Sequence, residues 1–88
     1  MGSNLLWDSA RIRWRSRRGL LELDLVLLPY AEKIYDLLTD IEKQHHQWLL
    51  QQTDMDLQQW LIHKKPASNL LQWQIQHIES IWHFMQTR

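Results

Sequence analysis

Turn-forming residues are scarce in this chain, which has only two glycines and two prolines among its 88 residues. An all-β fold needs many tight turns, and glycine and proline form a large share of them. The scarcity therefore disfavours a β-sandwich or barrel and favours helices. We predict an all-α fold.

Apolar packing alone must hold the core. The chain contains no cysteine, so neither a disulfide nor a thiolate metal site can stabilise it. Hydrophobic residues make up 44% of the sequence and include six tryptophans, each of which can bury a large area. We predict one compact domain over residues 1–88, with residues 1–4 disordered or left over from cloning and residues 84–88 frayed.

The first helix should run from Ser3 to Arg18, with Ser3 or Asn4 as its N-cap. Gly19 follows as a natural residue for the position after a helix end. The alternating residues 11–15 would also suit a strand, but no second strand candidate with a hairpin turn follows closely. We therefore favour a helix.

The second segment, from Leu20 to about Leu38, is the most hydrophobic. Residues 21–25 alternate as a strand would, whereas the continuation has helical spacing. Pro29 should kink or restart a helix because it lacks a backbone N–H. We expect one kinked helix or two short ones.

The remaining helices have clearer boundaries. Thr39-Asp40-Ile41-Glu42 fits the capping-box pattern, which predicts a third helix from Asp40 to about Gln52. Thr53-Asp54 is the next N-cap candidate, for a helix ending near His63. The last helix should begin near Ser68, with an apolar stripe at helical spacing formed by Leu71, Ile75, Ile78, Trp82 and Met85. Together, these segments predict a compact bundle of five helices.

Five histidines raise the question of a metal site. His45 and His46 are adjacent and point apart on a helix, while His77 and His83, six residues apart, lie on different sides. No metal-ligand spacing, nucleophile elbow or glycine-rich phosphate loop occurs. We expect solvated or edge histidines, no metal, no catalytic residue and no enzymatic activity.

The longest mainly apolar run, Leu20 to Tyr30, contains two acids and is too short to span a bilayer. The amino terminus lacks a signal-peptide pattern. These features predict a cytoplasmic protein that does not insert into a membrane.

Charge is divided unevenly along the chain. Residues 1–19 carry five arginines and one acid, whereas residues 20–88 carry five basic residues and nine acids. A nucleic-acid binder usually has an uncompensated basic surface. Here the basic cluster is local and the rest of the chain opposes it, so nucleic acid is a disfavoured partner.

The tryptophans divide into two groups. Trp48, Trp60, Trp73 and Trp82 lie at helical spacing with other apolar residues, which predicts core or half-exposed packing. Arginines surround Trp7 and Trp14, and two interpretations stay open for these. They either cover the edge of the bundle, with cation–π contacts to Arg11 or Arg18, or anchor a protein interface, where Trp and Arg dominate.

The most unusual stretch is RIRWRSRRGLLELD, residues 11–24. Five arginines lead into one glycine, and two acids follow within five residues. An exposed intrahelical pair between Arg18 and Glu22 would contribute only tenths of a kcal/mol, so helix stability does not explain the arrangement. Gly19 between charged neighbours permits close approach of another backbone. We predict a partner-binding patch.

Arg18-Gly19-Leu20-Leu21-Glu22 resembles the RGxxE motif of the SdhE (YgfY) family. The resemblance extends from about Ala10 to Ile81, through segments that follow the family's order. These are Arg11-Ile12-x-Trp14, Glu22-Leu23-Asp24, Leu28-Pro29, Tyr35-Asp36-x-Leu38, Asp54-x-Asp56-Leu57, Trp60-Leu61 and Lys65-Pro66.

The resemblance implies a five-helix assembly factor that promotes covalent attachment of FAD to the flavoprotein subunit of succinate dehydrogenase, and in bacteria also of fumarate reductase. It further implies that the bond forms within this client protein, between a client histidine and the flavin. We therefore expect FAD to be held by the client and not bound stably by this chain, which should act as a monomer.

The resemblance also assigns site residues. Arg18, Gly19 and Glu22 match the family's functional motif, and Asp24 matches a further acidic position. The residue chemistry adds Arg17, Trp14 and Arg11 to this predicted partner-binding set. An antitoxin-like or regulatory protein-binding module is the alternative function.

Overall fold

The computed structural model describes residues 6–87, and within that range all regular structure is helical. The five helices predicted from the sequence are present as α1 (Ser9–Ser16), α2 (Leu21–Lys33), α3 (Asp40–Leu50), α4 (Asp54–Leu57) and α5 (Gln72–Thr87). A 3-10 turn at Tyr35–Leu37 follows α2, and a π-helical turn at Gln58–Ile62 continues α4. They form one domain with a Cα radius of gyration of 12.4 Å.

Helix α1 is shorter than predicted at both ends. The predicted N-cap residues Ser3 and Asn4 lie outside the described residues, and the helix begins only at Ser9. Asp8 is its N-cap, because its Oδ1 accepts a hydrogen bond from the Arg11 N–H at 2.8 Å. The helix ends at Ser16, so the prediction that it reaches Arg18 was wrong.

Helix α2 is a single helix that continues across Pro29. Leu23, Val26, Leu27 and Tyr30 are its buried residues, at i, i+3, i+4 and i+7 spacing. This spacing is the helical stripe that a strand would not produce. The strand-like alternation of residues 21–25 was therefore a local pattern without structural effect.

Two helix starts follow the predicted capping chemistry. The Thr39 Oγ1 accepts from the Glu42 N–H at 3.2 Å, and the Glu42 carboxylate accepts from the Thr39 N–H at 2.9 Å. The backbone hydrogen bond from Thr39 lowers the pKa of Glu42. Thr53 caps α4 by accepting from the Asp56 N–H at 3.1 Å.

Helix α5 begins at Gln72, later than the Ser68 start that we predicted. The Leu71 N–H donates to the side chain of Gln74 at 2.7 Å, which is one half of a capping box. At its other end the helix includes residues 84–87, for which the sequence predicted fraying. Phe84 and Met85 pack against the core there.

Within residues 6–87, thirteen buried hydrophobic residues from all five helices form the core. Trp60 is among them, while Trp48, Trp73 and Trp82 are half-buried, which confirms their predicted packing role. Trp48 stacks on Trp60 with ring centroids 5.7 Å apart. The Trp82 Nε1–H donates to the Trp60 carbonyl at 2.9 Å and so connects α5 to the π-helical turn.

Two histidines are inside the bundle, so the prediction of solvated or edge histidines was wrong for them. His46 is fully buried and its Nδ1 lies 2.9 Å from Nε2 of the nearly buried His77. Burial lowers the pKa of His46 well below its ordinary value and lowers the pKa of His77 to about 4. Burial outweighs the attraction of Glu42 for a charged His77, so both rings are neutral at pH 7.

The His46–His77 pair predicts a stability that falls in mild acid. The unfolded chain takes up protons on both histidines below about pH 6.5, whereas the folded chain resists this until about pH 4 at His77. Each histidine should remove about 1.4 kcal/mol of unfolding free energy per pH unit within this window. Urea denaturation at pH 7.0, 6.0 and 5.0 measures the loss.

The double substitution His46→Leu/His77→Leu is the control, because it removes both groups while retaining the carboxylates that also titrate in acid. It should lose less stability than the wild type between pH 6.5 and 5. Equal losses in the two proteins would contradict neutral burial of the pair.

Candidate functional site

The predicted partner-binding stretch forms the turn between α1 and α2. Gly19 lies at its centre with a φ of +85°, in the left-handed region that favours glycine. A Cβ added at this position would meet no atom within 4 Å. The backbone conformation therefore favours glycine here, and the space around its Cα is open.

Arg18, next to this glycine, is directed into the molecule. Its side chain is 13% exposed and its Nε donates to Asp54 Oδ1 at 2.7 Å. Nη1 donates to the carbonyls of Arg15 and Leu50 at 3.1 and 2.8 Å, and Nη2 donates to the carbonyl of Gln52 at 2.6 Å. The guanidinium of Arg18, a residue of the predicted partner-binding set, is therefore bonded within the chain.

Asp24 also makes an internal contact. Its Oδ1 accepts from the Arg18 backbone N–H at 2.7 Å, which connects the turn to the first turn of α2. The side chain is half-buried. Asp24 thus holds the backbone on one side of Gly19, and the structure supplies a local reason for an acid at this position.

Glu22, by contrast, lies on the surface. It accepts a hydrogen bond from the side-chain amide of Gln58, the first residue of the π-helical turn. The contact is exposed to solvent, and π-helical turns are frequent at functional sites. Glu22 therefore presents a carboxylate where α2 meets the segment after α4.

Exposed apolar side chains flank the turn. Trp14 is 76% exposed on α1, while Leu21 and Leu25 on α2 are 74% and 54% exposed. Leu20 is also exposed. Leu25 was missing from the predicted site, although its spacing of four residues from Leu21, outside the buried stripe of α2, could have indicated a second apolar face.

The two arginine-flanked tryptophans have different environments. Trp7 packs against the core, and the guanidinium carbons of Arg11 and Arg15 lie 4.7 and 5.0 Å from its ring centroid. Trp7 therefore covers the edge of the bundle, with Arg11 stacked on it. The exposed ring of Trp14 retains the geometry of an interface anchor.

A shallow cleft of about 370 Å³ lies beside the turn. Its lining consists of Trp14, Arg15, Arg17, Arg18 and Asp54. Arg17 is exposed there, unlike Arg18. Three residues of the predicted site, Trp14, Arg17 and Arg18, thus line the same cleft.

Other kinds of site find little support in residues 6–87. Within that range no three histidine or carboxylate side chains are grouped so that they could hold a metal ion. None of its helices combines the length and the apolar character needed to cross a membrane.

Fold and site together define a small all-helical protein with exposed apolar side chains on both sides of an arginine-glycine turn. Residues 10–82 match the family described as the flavinator of succinate dehydrogenase (Sdh5). The chain belongs to this family.

Individual relatives agree with the family assignment. The FAD assembly factor SdhE of Vibrio cholerae is 43% identical over 63 residues, which cover 72% of this chain and 73% of the relative. SdhE of Yersinia pseudotuberculosis is 42% identical over 74 residues, or 83% of this chain and 84% of the relative. SdhE of Aliivibrio fischeri is 38% identical over 63 residues, with 72% and 73% covered.

The turn predicts a specific response to substitution at Gly19. Gly19→Ala should lower the free energy of unfolding by about 1 kcal/mol, because a Cβ is disfavoured at positive φ even where it meets no neighbour. Gly19→Asn should lower it less, since asparagine enters the left-handed region more readily. Urea denaturation followed by tryptophan fluorescence tests both, and an Ala variant as stable as the wild type would contradict a left-handed Gly19.

Proposed function

We propose that this chain is a cytoplasmic assembly factor that binds the flavoprotein subunit of succinate dehydrogenase, and that of fumarate reductase, and promotes covalent attachment of FAD. Membership of the flavinator family and the similarity to FAD assembly factors support this proposal. The chain acts as a monomer and holds no FAD stably. FAD is held by the client, within which the bond to the flavin forms.

The surface proposed to bind the client consists of side chains around the α1–α2 turn. We call it the docking surface and define it as Trp14, Arg17, Gly19, Leu20, Leu21, Glu22 and Leu25. Burying a leucine that is exposed in the free protein contributes about 1.5–3 kcal/mol. The leucines and Trp14 supply such area, and open space at Gly19 lets the client backbone approach.

Binding can promote attachment without any bond chemistry on this chain. A client whose flavin domain samples several arrangements reacts faster when a partner prefers the arrangement competent for attachment. Such a partner needs only a larger affinity for that arrangement. The turn described above has an exposed surface and is hydrogen-bonded to the rest of the chain through Arg18, which suits this role, and no catalytic group on this chain is needed.

Flavin fluorescence of the client subunit in denaturing gels tests the function directly. Cells lacking this chain should show a client with little covalent flavin, and expression of the wild type should restore it. Glu22→Ala and Gly19→Arg should fail to restore it, because they remove the exposed carboxylate and fill the open space. Circular dichroism should show both purified variants to be folded, and normal flavin incorporation with both would contradict the site.

The apolar part of the docking surface has its own test. Leu21→Asp should weaken co-purification of the client by about tenfold or more, because a charge replaces area that the client covers. Leu37→Asp is the matched control, since Leu37 is 80% exposed but lies on the 3-10 turn after α2. If both variants retain the client equally, the exposed leucines of α2 are not part of the interface.

A further inference from the structure

We infer that Arg18 and Asp54 are positioning residues that act on the client through the conformation of the α1–α2 turn, without contacting the client through their charges. The inference rests on the function proposed above and deepens it. It gives Arg18 a role different from that of its neighbours Gly19 and Glu22, and it includes Asp54, which lies 36 residues away in the sequence.

The Arg18 guanidinium connects three separate parts of the chain. Its acceptors are the Arg15 carbonyl at the end of α1, the Leu50 carbonyl in the last residue of α3, and the Gln52 carbonyl between α3 and α4. Carbonyls at helix ends have no partner within their helix. One side chain thus satisfies groups at two helix ends and fixes their separation.

Asp54 completes this set as the first residue of α4. The Arg18 Nε–Asp54 Oδ1 bond is 2.7 Å long, but the Asp54 side chain is partly exposed. Solvent screens such a pair, so attraction between the charges adds little. The contribution of Arg18 comes instead from its planar guanidinium, whose donors point in fixed directions. A lysine ammonium could not form the same set of hydrogen bonds.

Arg18 is held through its backbone as well. Its N–H donates to Asp24 in α2, while its side chain reaches α3 and α4. Gly19 is the next residue. It therefore adopts its left-handed conformation beside a residue that is held through both its backbone and its side chain. Leu20, the N-cap of α2, follows directly. Fixing Arg18 therefore preorganises the docking surface, which reduces the ordering needed on binding.

Direct charge recognition by Arg18 is the competing explanation. The four hydrogen bonds described above use Nε, both Nη1 protons and one Nη2 proton of the five guanidinium donors. A client carboxylate would have to displace these internal bonds to form a two-pronged contact with the guanidinium. The exposed Arg17 is better placed for such recognition.

Hydrogen exchange of the isolated chain tests the positioning role without any client. In Arg18→Gln, Arg18→Lys and Asp54→Asn, the amides of residues 18, 23 and 24, which donate to Asp24 and to the Leu20 carbonyl, should exchange about tenfold faster than in the wild type. Arg13→Gln and Asp56→Asn are charge-matched controls on α1 and in the first turn of α4, and they should not change exchange at residues 18, 23 and 24. Unchanged exchange in the Arg18 variants overturns the inference.

Affinity for the purified flavoprotein subunit of succinate dehydrogenase provides the second test. Arg18→Gln and Arg18→Lys should both raise the dissociation constant by about tenfold, and Arg18→Gln/Asp54→Asn should raise it no further, because the two residues act as one unit. Wild-type affinity in Arg18→Lys would show that charge suffices. Multiplied losses in the double variant would show independent contacts. Either result overturns the inference.

These measurements separate two failures. A wild-type chain that does not bind the flavoprotein subunit contradicts the proposed function and this inference together. A wild type that binds, with Arg18 variants that bind equally well, contradicts the inference alone. Asp54→Asn keeps the size of the side chain and leaves the Thr53 cap intact, so it remains informative if Arg18→Gln does not fold.

Discussion

The contacts of one residue, Arg18, connect four helices of this small protein. Arg18 bonds to the ends of α1 and α3 and to the start of α4, while its own backbone is bonded to α2. A chain without cysteine has no covalent cross-link to fix such junctions. An arginine can do so because it offers five donors in one plane, and carbonyls at helix ends need donors.

The buried histidine pair also has to accommodate polar atoms away from water. His46 and His77 share one hydrogen bond inside the bundle, and Nε2 of His46 has no hydrogen-bond partner. If His46 donates through Nδ1, this Nε2 carries only a lone pair. The opposite tautomer would bury an unpaired N–H, and such orphan donors are the rarer case. We therefore assign the proton to Nδ1 of His46, as a donor to His77.

Sequence reasoning succeeded where the determining interactions are local. The capping box at Thr39 and Glu42 and the five-helix architecture depend on residues close together in the chain. It failed where partners are distant: the backbone of Trp7, just before α1, is held by the side chains of Gln47 and Tyr35. The inward direction of Arg18 depends on carbonyls more than thirty residues away. The burial of His46 had a detectable signal, since it shares a stripe with Leu49 and Leu50.

Substitution of a glycine at positive φ usually causes both backbone strain and a steric clash. The open space around Gly19 separates these two effects. In the free chain the cost of an alanine there comes from the positive φ and not from a clash, because no atom beyond the two chain neighbours lies within 4 Å of the Cβ position. A client affinity that falls steadily as the side chain at this position grows would then indicate contact with the client. A series of substitutions of increasing size at this position, from alanine to tryptophan, would therefore measure how closely the client approaches the turn. The binding free energy should fall once the side chain no longer fits between the two proteins.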